Sequence, residues 1–212
     1  LCDYFHESSS TLNLLWHSHV SRIIGLPFLP VRTPEFTNYW AEMQYCIDFA
    51  LCNRRVMMTR IEEVLADALP NITFEPMINI AHNYAAWENH FGHDVIVHRK
   101  GATLARKGTM GIIPGSQGTA SYIVEGLGNP DSFCSCSHGA GRLMSRTAAI
   151  HNLNLNEEVA RLESLGIVHA IRCQDDMQEA SGAYKDIETV IHNEADLVKV
   201  KTRLLPVAVI KG

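Results

Sequence analysis

The sequence predicts an α+β protein: one long amphipathic helix, a run of short strands broken by glycine, then helices and strands that do not alternate regularly. A doubly wound sheet would need that alternation. At 212 residues, 46% hydrophobic and 19% charged, the chain has the size and apolar content to bury a core as a single domain, 1–212. No internal repeat, low-complexity tract or linker divides it.

Residues 1–32 carry no readable periodicity. The long helix follows: Thr33 can cap it, Pro34 fits its first position and Glu35 favours its positive end. Phe36, Trp40, Met43, Ile47, Ala50, Met57, Ile61, Val64 and Leu65 recur at three- and four-residue steps down to Leu69, and Pro70 stops the helix. This Met and aromatic stripe reads as core, not as a cofactor box. From Glu75 the pattern changes to strands at Met77–Ala81, Asp94–His98, Gly111–Ile113 and Ser121–Leu127. A helix is expected to begin just after His138 and run towards Ile150, and another to span Asn156–Leu165 up to Gly166. Ile167–Ile171 reads as a strand, Asp186–His192 as a short helix and Leu197–Ile210 as strand again. In that last stretch Lys199, Lys201 and Arg203 alternate with Val198, Val200 and Thr202, giving one basic face, read as solvated or as an RNA contact, and one buried face.

Composition excludes several classes. A net charge of −5 argues against coating nucleic acid through bulk charge, so any RNA contact must be a local basic patch. No run approaches the roughly 18 apolar residues of a membrane helix. The start, LCDYFHESSS, has neither the basic nor the apolar region of a signal peptide, and without an initiator Met it reads as a chain whose beginning is missing. Cys2, Cys46, Cys52, Cys134, Cys136 and Cys173 are too sparse for a disulfide scaffold and form no CxxC pair, which reads as a reduced, cytoplasmic protein. The 11 histidines make metal or phosphoryl chemistry worth seeking.

The densest chemistry lies in SCSHGAGR, Ser135 to Arg142. Glycines after His138 let backbone bend closely around a ligand, and a following helix would aim its positive end at that spot. Arg142 and Arg146, one helical turn apart, would both face it as phosphate clamps. A neutral imidazole there is a sensible nucleophile for phosphorus. Upstream, IIPGSQGTASYIVEGLGNP is rich in glycine and small hydroxyls, with Ser116 and Ser121 as donors, and HRKGAT supplies two cations before a glycine turn. Each loop alone reads as a strand connection or an incidental turn; together they favour nucleotide handling. His82 and Asn83 end an apolar strand and could hold a ligand rigidly, and His17 and His19 stand in LLWHSHVSR. A satisfied histidine is as good a reading as a metal ligand in each case.

The strings AHNYA, HRKGAT, GIIPGSQGTASYIV, GLGNP, SCSHGAGRLMSR, GAYKDI and PVAVIKG, in that order, resemble the signatures of the RtcB RNA ligases. The likeness runs from about Trp16 to the last residue. It implies RtcB-like mixed sheets with a long helix and short helices around a central active-site cleft. His138 then matches the histidine that attacks the α-phosphate of GTP and carries GMP. His82 resembles a manganese ligand, and His82 with Asn83 borders the nucleotide. Pro114, Gly115, Ser116, Gln117 and Ser121 match the GTP-binding loop, as do Gly139, Ala140 and Gly141 beside His138. Gln117 stands where the family pattern has Met. Tyr184 and Lys211 resemble groups that close on the guanine. His17 looks like a second manganese ligand, although its stretch is one residue longer than the family's, which leaves His19 as the other candidate.

The resemblance implies a ligase that uses GTP as co-substrate and two Mn2+ ions, and joins an RNA 3′-phosphate or 2′,3′-cyclic phosphate to a 5′-hydroxyl. Its setting would be tRNA splicing or RNA repair, with an activating protein as a further partner and no membrane. The family's Asp-x-Gly-Cys motif and Gly-Gly-Asn-His-Phe segment, from an amino-terminal half, have no counterpart in these residues. Two alternatives follow: a truncated or inactive paralogue that binds nucleotide or RNA without catalysis, and a phosphohydrolase working through a phosphohistidine.

Overall fold

A computed structural model of the chain describes residues 29–209. His17, His19 and Lys211 therefore lie outside the described residues. The chain divides into two compact units, Leu1–Ile72 and Thr73–Gly212.

In the first unit the described residues form α1 (Pro34–Ala68). Its start follows the sequence: the Thr33 side chain accepts the Phe36 N–H at 3.2 Å, and Pro34 and Glu35 fill the first turn. Phe36 and Trp40, one turn apart, stack with ring centroids 5.6 Å apart. The core expected along this stripe is not observed. No residue of α1 is buried, and Met57, Ile61 and Val64 are exposed. Periodicity identifies which residues share a face; it does not supply what covers them. No helix among the described residues is long and apolar enough to cross a membrane.

The second unit is built from small, mostly antiparallel sheets and short helices, which bears out the α+β class. Strands β1 (Asn83–His90) and β2 (His93–Lys100) form a hairpin closed at Phe91-Gly92, both with positive φ (53° and 80°), as a tight two-residue hairpin turn requires. The strand expected at Met77–Ala81 is displaced to β1. Asn83 pairs with Lys100, and at Gly101 (φ 71°) the partner chain turns away, so residues before His82 have no ladder to join. β3 (Ala102–Leu104) then pairs with β6 (Ser135–Ser137), Thr103 opposite Cys136.

β4 (Met110–Ile113), β5 (Ser121–Gly126) and β8 (Val198–Leu204) make a three-stranded sheet. Alternate residues of β5 are buried, and Ile113, Tyr122, Val124 and Val198 pack with Ile187, Cys136 and Ala140 into the main core. β8 departs from the expected alternation: only Val198 is buried, and Val200 is exposed. Two of its three basic side chains are paired, Lys201 with Glu125 at 3.1 Å and Arg203 with Glu188 at 3.0 Å, and Lys199 is exposed, so this face is solvated and partly ion-paired.

The remaining helices are α2 (Arg146–Asn152), α3 (Leu155–Ser164) and α4 (Ile187–Asn193). The last two stand within a residue or two of expectation, capped by Asn154 and Asp186. Of the strand expected at Ile167–Ile171 only β7 (Val168–His169) forms, parallel to β9 (Ala208–Val209).

One charged group lies deep in this unit. The Arg99 side chain, on β2, forks onto both oxygens of Glu88 on β1 (2.5 and 3.0 Å), and His90 reaches the same carboxylate at 2.8 Å. All three are buried. Burial alone would push the Glu88 carboxyl up. Hydrogen bonds from Arg99 and His90 and the Arg99 charge outweigh it and hold it at about 2, below the ordinary 4.5. A depressed carboxyl contributes stability that is complete above its ordinary value and lost as pH falls towards the folded one. Glu88→Gln should therefore cost about 3 kcal/mol or more at neutral pH, because it strands the Arg99 charge, and should flatten the loss of stability between pH 4.5 and 2. Urea denaturation across that range measures both, and a variant with the wild-type acid slope would refute the assignment.

Candidate active site

The sequence expects His138 at a helix start, and the structure corrects this. The residue follows β6 in a turn, and the next helix, α2, begins only at Arg146, capped by the Ser145 hydroxyl. Gly141 is the physical reason: its φ of 75° is left-handed, so the chain cannot continue into a helix from His138. The start of α2 is therefore eight residues past the imidazole and does not cap it.

Other contacts hold it. The His138 Nδ1 lies 2.9 Å from the Gly101 carbonyl oxygen, and the His138 N–H donates to the same oxygen at 3.4 Å. A carbonyl oxygen can only accept, so Nδ1 must carry the hydrogen. In the neutral ring this leaves the Nε2 lone pair free to react. The ring stacks on His82, centroids 5.2 Å apart and planes within 9°. His82 is placed by the end of the hairpin, where its carbonyl accepts the Gly101 N–H at 3.2 Å. Behind the ring, the Ser137 N–H donates to the Glu194 carboxylate at 2.7 Å. Burial, only partly offset by that N–H, pushes the Glu194 carboxyl up.

The loop that follows meets the Pro114–Ser121 loop. The Ala140 N–H donates to the Pro114 carbonyl at 2.9 Å, and a Cβ on Gly139 would come within 3.2 Å of that oxygen. Here glycine is required by close approach. The upstream loop spends its groups on its own closure: the Gly115 N–H donates to Ser121 Oγ (3.2 Å) and the Ser116 N–H to Thr119 Oγ1 (2.7 Å). Gln117 turns to Glu158 on α3, 3.0 Å away. On the other side, Lys185 donates its N–H to the Gly141 carbonyl, and Arg142 bridges to Tyr184, which brings Tyr184 beside the histidine loop. Asn83 is exposed at the start of β1.

The arginines of these segments are each paired with a carboxylate. Arg99 of HRKGAT is buried on Glu88, leaving Lys100 as the exposed cation of that segment. Arg142 and Arg146 do not share a helical face, since Arg142 precedes α2. They converge instead on Glu179, at 3.1 and 3.0 Å. Sequence reasoning missed Glu179, Glu194 and the Gly101 carbonyl. Glu179 and Glu194 stand in unremarkable stretches far from their partners, and a backbone oxygen leaves no compositional trace. Among the described residues no group of three His, Cys, Asp or Glu side chains is placed to hold a metal ion.

A family model described as tRNA-splicing ligase RtcB matches residues 2–212. The chain is 40% identical over 196 residues to the RNA-splicing ligase RtcB of Escherichia coli K12, covering 88% of this chain and 47% of that protein. It is 34% identical over 215 residues to the tRNA-splicing ligase RtcB of Nanoarchaeum equitans, covering 88% and 45%. To the RNA-splicing ligase RtcB homolog 1 of Entamoeba dispar it is 34% identical over 219 residues, covering 90% and 40%. The chain thus spans about half the length of the curated relatives it matches.

Gly101 offers a direct check on the geometry around His138. A Cβ there would meet the imidazole at an ordinary 3.7 Å, so the obstacle to a side chain is the φ of 71°. Gly101→Ala should cost about 1–2 kcal/mol, the penalty of a left-handed alanine, and Gly101→Asn, better tolerated in that region, should cost less. Chemical denaturation of both variants tests this; equal stability of Ala and wild type would show that the backbone is not held left-handed.

Proposed function

Because the chain belongs to the RtcB tRNA-splicing ligase family, we propose that it carries the nucleotidyl-transfer half of a GTP- and Mn-dependent RNA ligase, with His138 as the nucleophile. The observation that supports this most is the fixed imidazole. With Nδ1 engaged by the Gly101 carbonyl, Nε2 is left to attack the α-phosphate of GTP. An N–P bond forms, the bond to the bridging oxygen breaks and pyrophosphate leaves. The GMP then passes to an RNA 3′-phosphate, a 5′-hydroxyl attacks the activated end, and GMP is released as the phosphodiester closes.

His82, stacked on His138, would give one imidazole nitrogen to a manganese ion. The described residues do not complete a donor set around it. Bound there, a divalent ion would neutralise phosphate charge. The chain's own residues do the positioning. Gly101 fixes the ring, the Ala140 hydrogen bond to the Pro114 carbonyl joins the two glycine-rich loops, and Tyr184 stands beside the histidine loop as a candidate surface for the guanine.

The test uses the whole gene product, α-labelled GTP and Mn2+. Wild type should form a protein–GMP adduct that is labile in acid and stable in alkali, as an N–P bond requires. His138→Ala and His138→Asn should both lose it, with a rate fall on the order of 10³-fold or more. An adduct that persists in these variants would move the nucleophile to another residue. GTP binding by wild type without any adduct would favour a non-catalytic nucleotide-binding protein.

A further inference from the structure

Glu179 ends a 3₁₀ segment, Gln174–Glu179, and its carboxylate is shared among three side chains. Oε2 accepts from Arg142 Nη1 at 3.1 Å and from the Tyr184 hydroxyl, and Oε1 accepts from Arg146 Nε at 3.0 Å. Arg142 is almost fully used: its Nε donates to the Met144 carbonyl (3.0 Å), Nη2 to the Gln178 carbonyl (2.5 Å), and Nη1 also to the Tyr184 oxygen (3.1 Å). Its guanidinium lies over the Tyr184 ring, 4.9 Å from the centroid. Such an arginine cannot grip a phosphate with a two-pronged fork without abandoning these bonds.

Arg146 is placed differently. It is held through Nε alone, its side chain is 68% exposed, and its two Nη groups make no hydrogen bond among the described residues. Those Nη groups are the edge of a guanidinium that suits a phosphate. We propose that Glu179 is a positioning residue, which locks Arg142 against Tyr184 as a support and aims the Nη edge of Arg146 at a phosphate of the RNA end. This rests on the ligase reading given above and assigns different work to the two arginines. Arg142 holds Tyr184 and the histidine loop, and Arg146 meets substrate.

The alternative use of such a carboxylate is as an internal anion that competes with phosphate for the arginines, and the two uses predict opposite results. The probe is an RNA oligonucleotide with a 3′-phosphate, its affinity for the whole gene product compared with that of the same oligonucleotide ending in a 3′-hydroxyl. Glu179→Gln should weaken binding of the phosphorylated oligonucleotide by about 10-fold or more, the loss of one charge-assisted hydrogen bond, and should largely erase the preference for phosphate. Arg146→Met should do the same, and the double variant should be no worse than Arg146→Met alone, because both remove one device. A role confined to stability would leave the phosphate preference intact. Losses that add in the double variant, or tighter binding by Glu179→Gln, would overturn the proposal. Glu179→Asp, run through the same cycle, serves if the glutamine variant does not fold. Because the readout is binding, wild type that fails to join RNA ends would sink the ligase reading while the cycle still decides the role of Glu179.

Discussion

Where β2 ends decides how the His138 ring is held. Arg99, near the end of that strand, is fixed on Glu88 and also donates to the Tyr84 hydroxyl, to Ser135 Oγ and to the Phe133 carbonyl, the last two at the entry to β6. Phe133 and Cys134 are both left-handed, with φ of 53° and 50°. Such non-glycine residues cost on the order of 1–3 kcal/mol each and persist only where their surroundings leave no alternative. Arg99 supplies one restraint, and the Ala105 N–H, which donates to the Cys134 carbonyl at 2.7 Å, supplies another. Two residues after Arg99, Gly101 turns the chain and presents the carbonyl that orients the His138 ring. A single short segment thus fixes both the strand that delivers the histidine and the histidine's own tautomer. The buried ion pair is the anchor of that segment, and burial makes its loss costly, since either charge alone would be stranded without water.

Local signals in the sequence were sufficient wherever structure is decided locally. Thr33-Pro34-Glu35 starts α1, Asn154 and Asp186 start α3 and α4, and the alternation in β5 is visible as its buried and exposed residues. They failed where a distant partner decides. Met77–Ala81 has strand composition but joins no ladder among the described residues, because the hairpin pairing stops at Asn83 and Lys100 and Gly101 turns away. The stretch after His138 has helix-forming residues, yet Gly141 in the left-handed region and the Ala140 bond to Pro114 hold it as a loop. The stripe along α1 marks one face of a helix, and nothing in its spacing says how far that face is buried.

The site was legible in its identities and much less so in its wiring. His138 and His82 could be picked out by residue type and motif, and they stack. Composition points to the glycine-rich loops as phosphate cradles with Ser116 and Ser121 as donors. In the structure, Thr119 and Ser121 already accept the amides of Ser116 and Gly115, so much of that loop chemistry is used for its shape. What remains is a loop tied to its neighbour by the Ala140 hydrogen bond to the Pro114 carbonyl, and under the ligase reading such fixed geometry would help to hold reacting atoms near contact distance.

Charge accounts for the rest. A chain with a net charge of −5 cannot attract a polyanion as a whole, and its arginines are largely committed to carboxylates: Arg99 to Glu88, Arg203 to Glu188, Arg142 and Arg146 to Glu179. Burial pushes the Glu179 carboxyl up, but the Tyr184 and Arg146 hydrogen bonds and both arginine charges outweigh it and hold it below the ordinary range. The same carboxylate, together with burial, pushes the Tyr184 hydroxyl up, so the tyrosine stays a donor. An ionised Glu179 therefore keeps two guanidinium groups near one another that would otherwise repel, and it offsets only part of their charge. The cluster retains a local positive excess beside the histidine loop while the molecule stays acidic overall. Under the proposed ligase reading, that excess would draw a phosphorylated end to the histidine loop by geometry instead of by bulk charge.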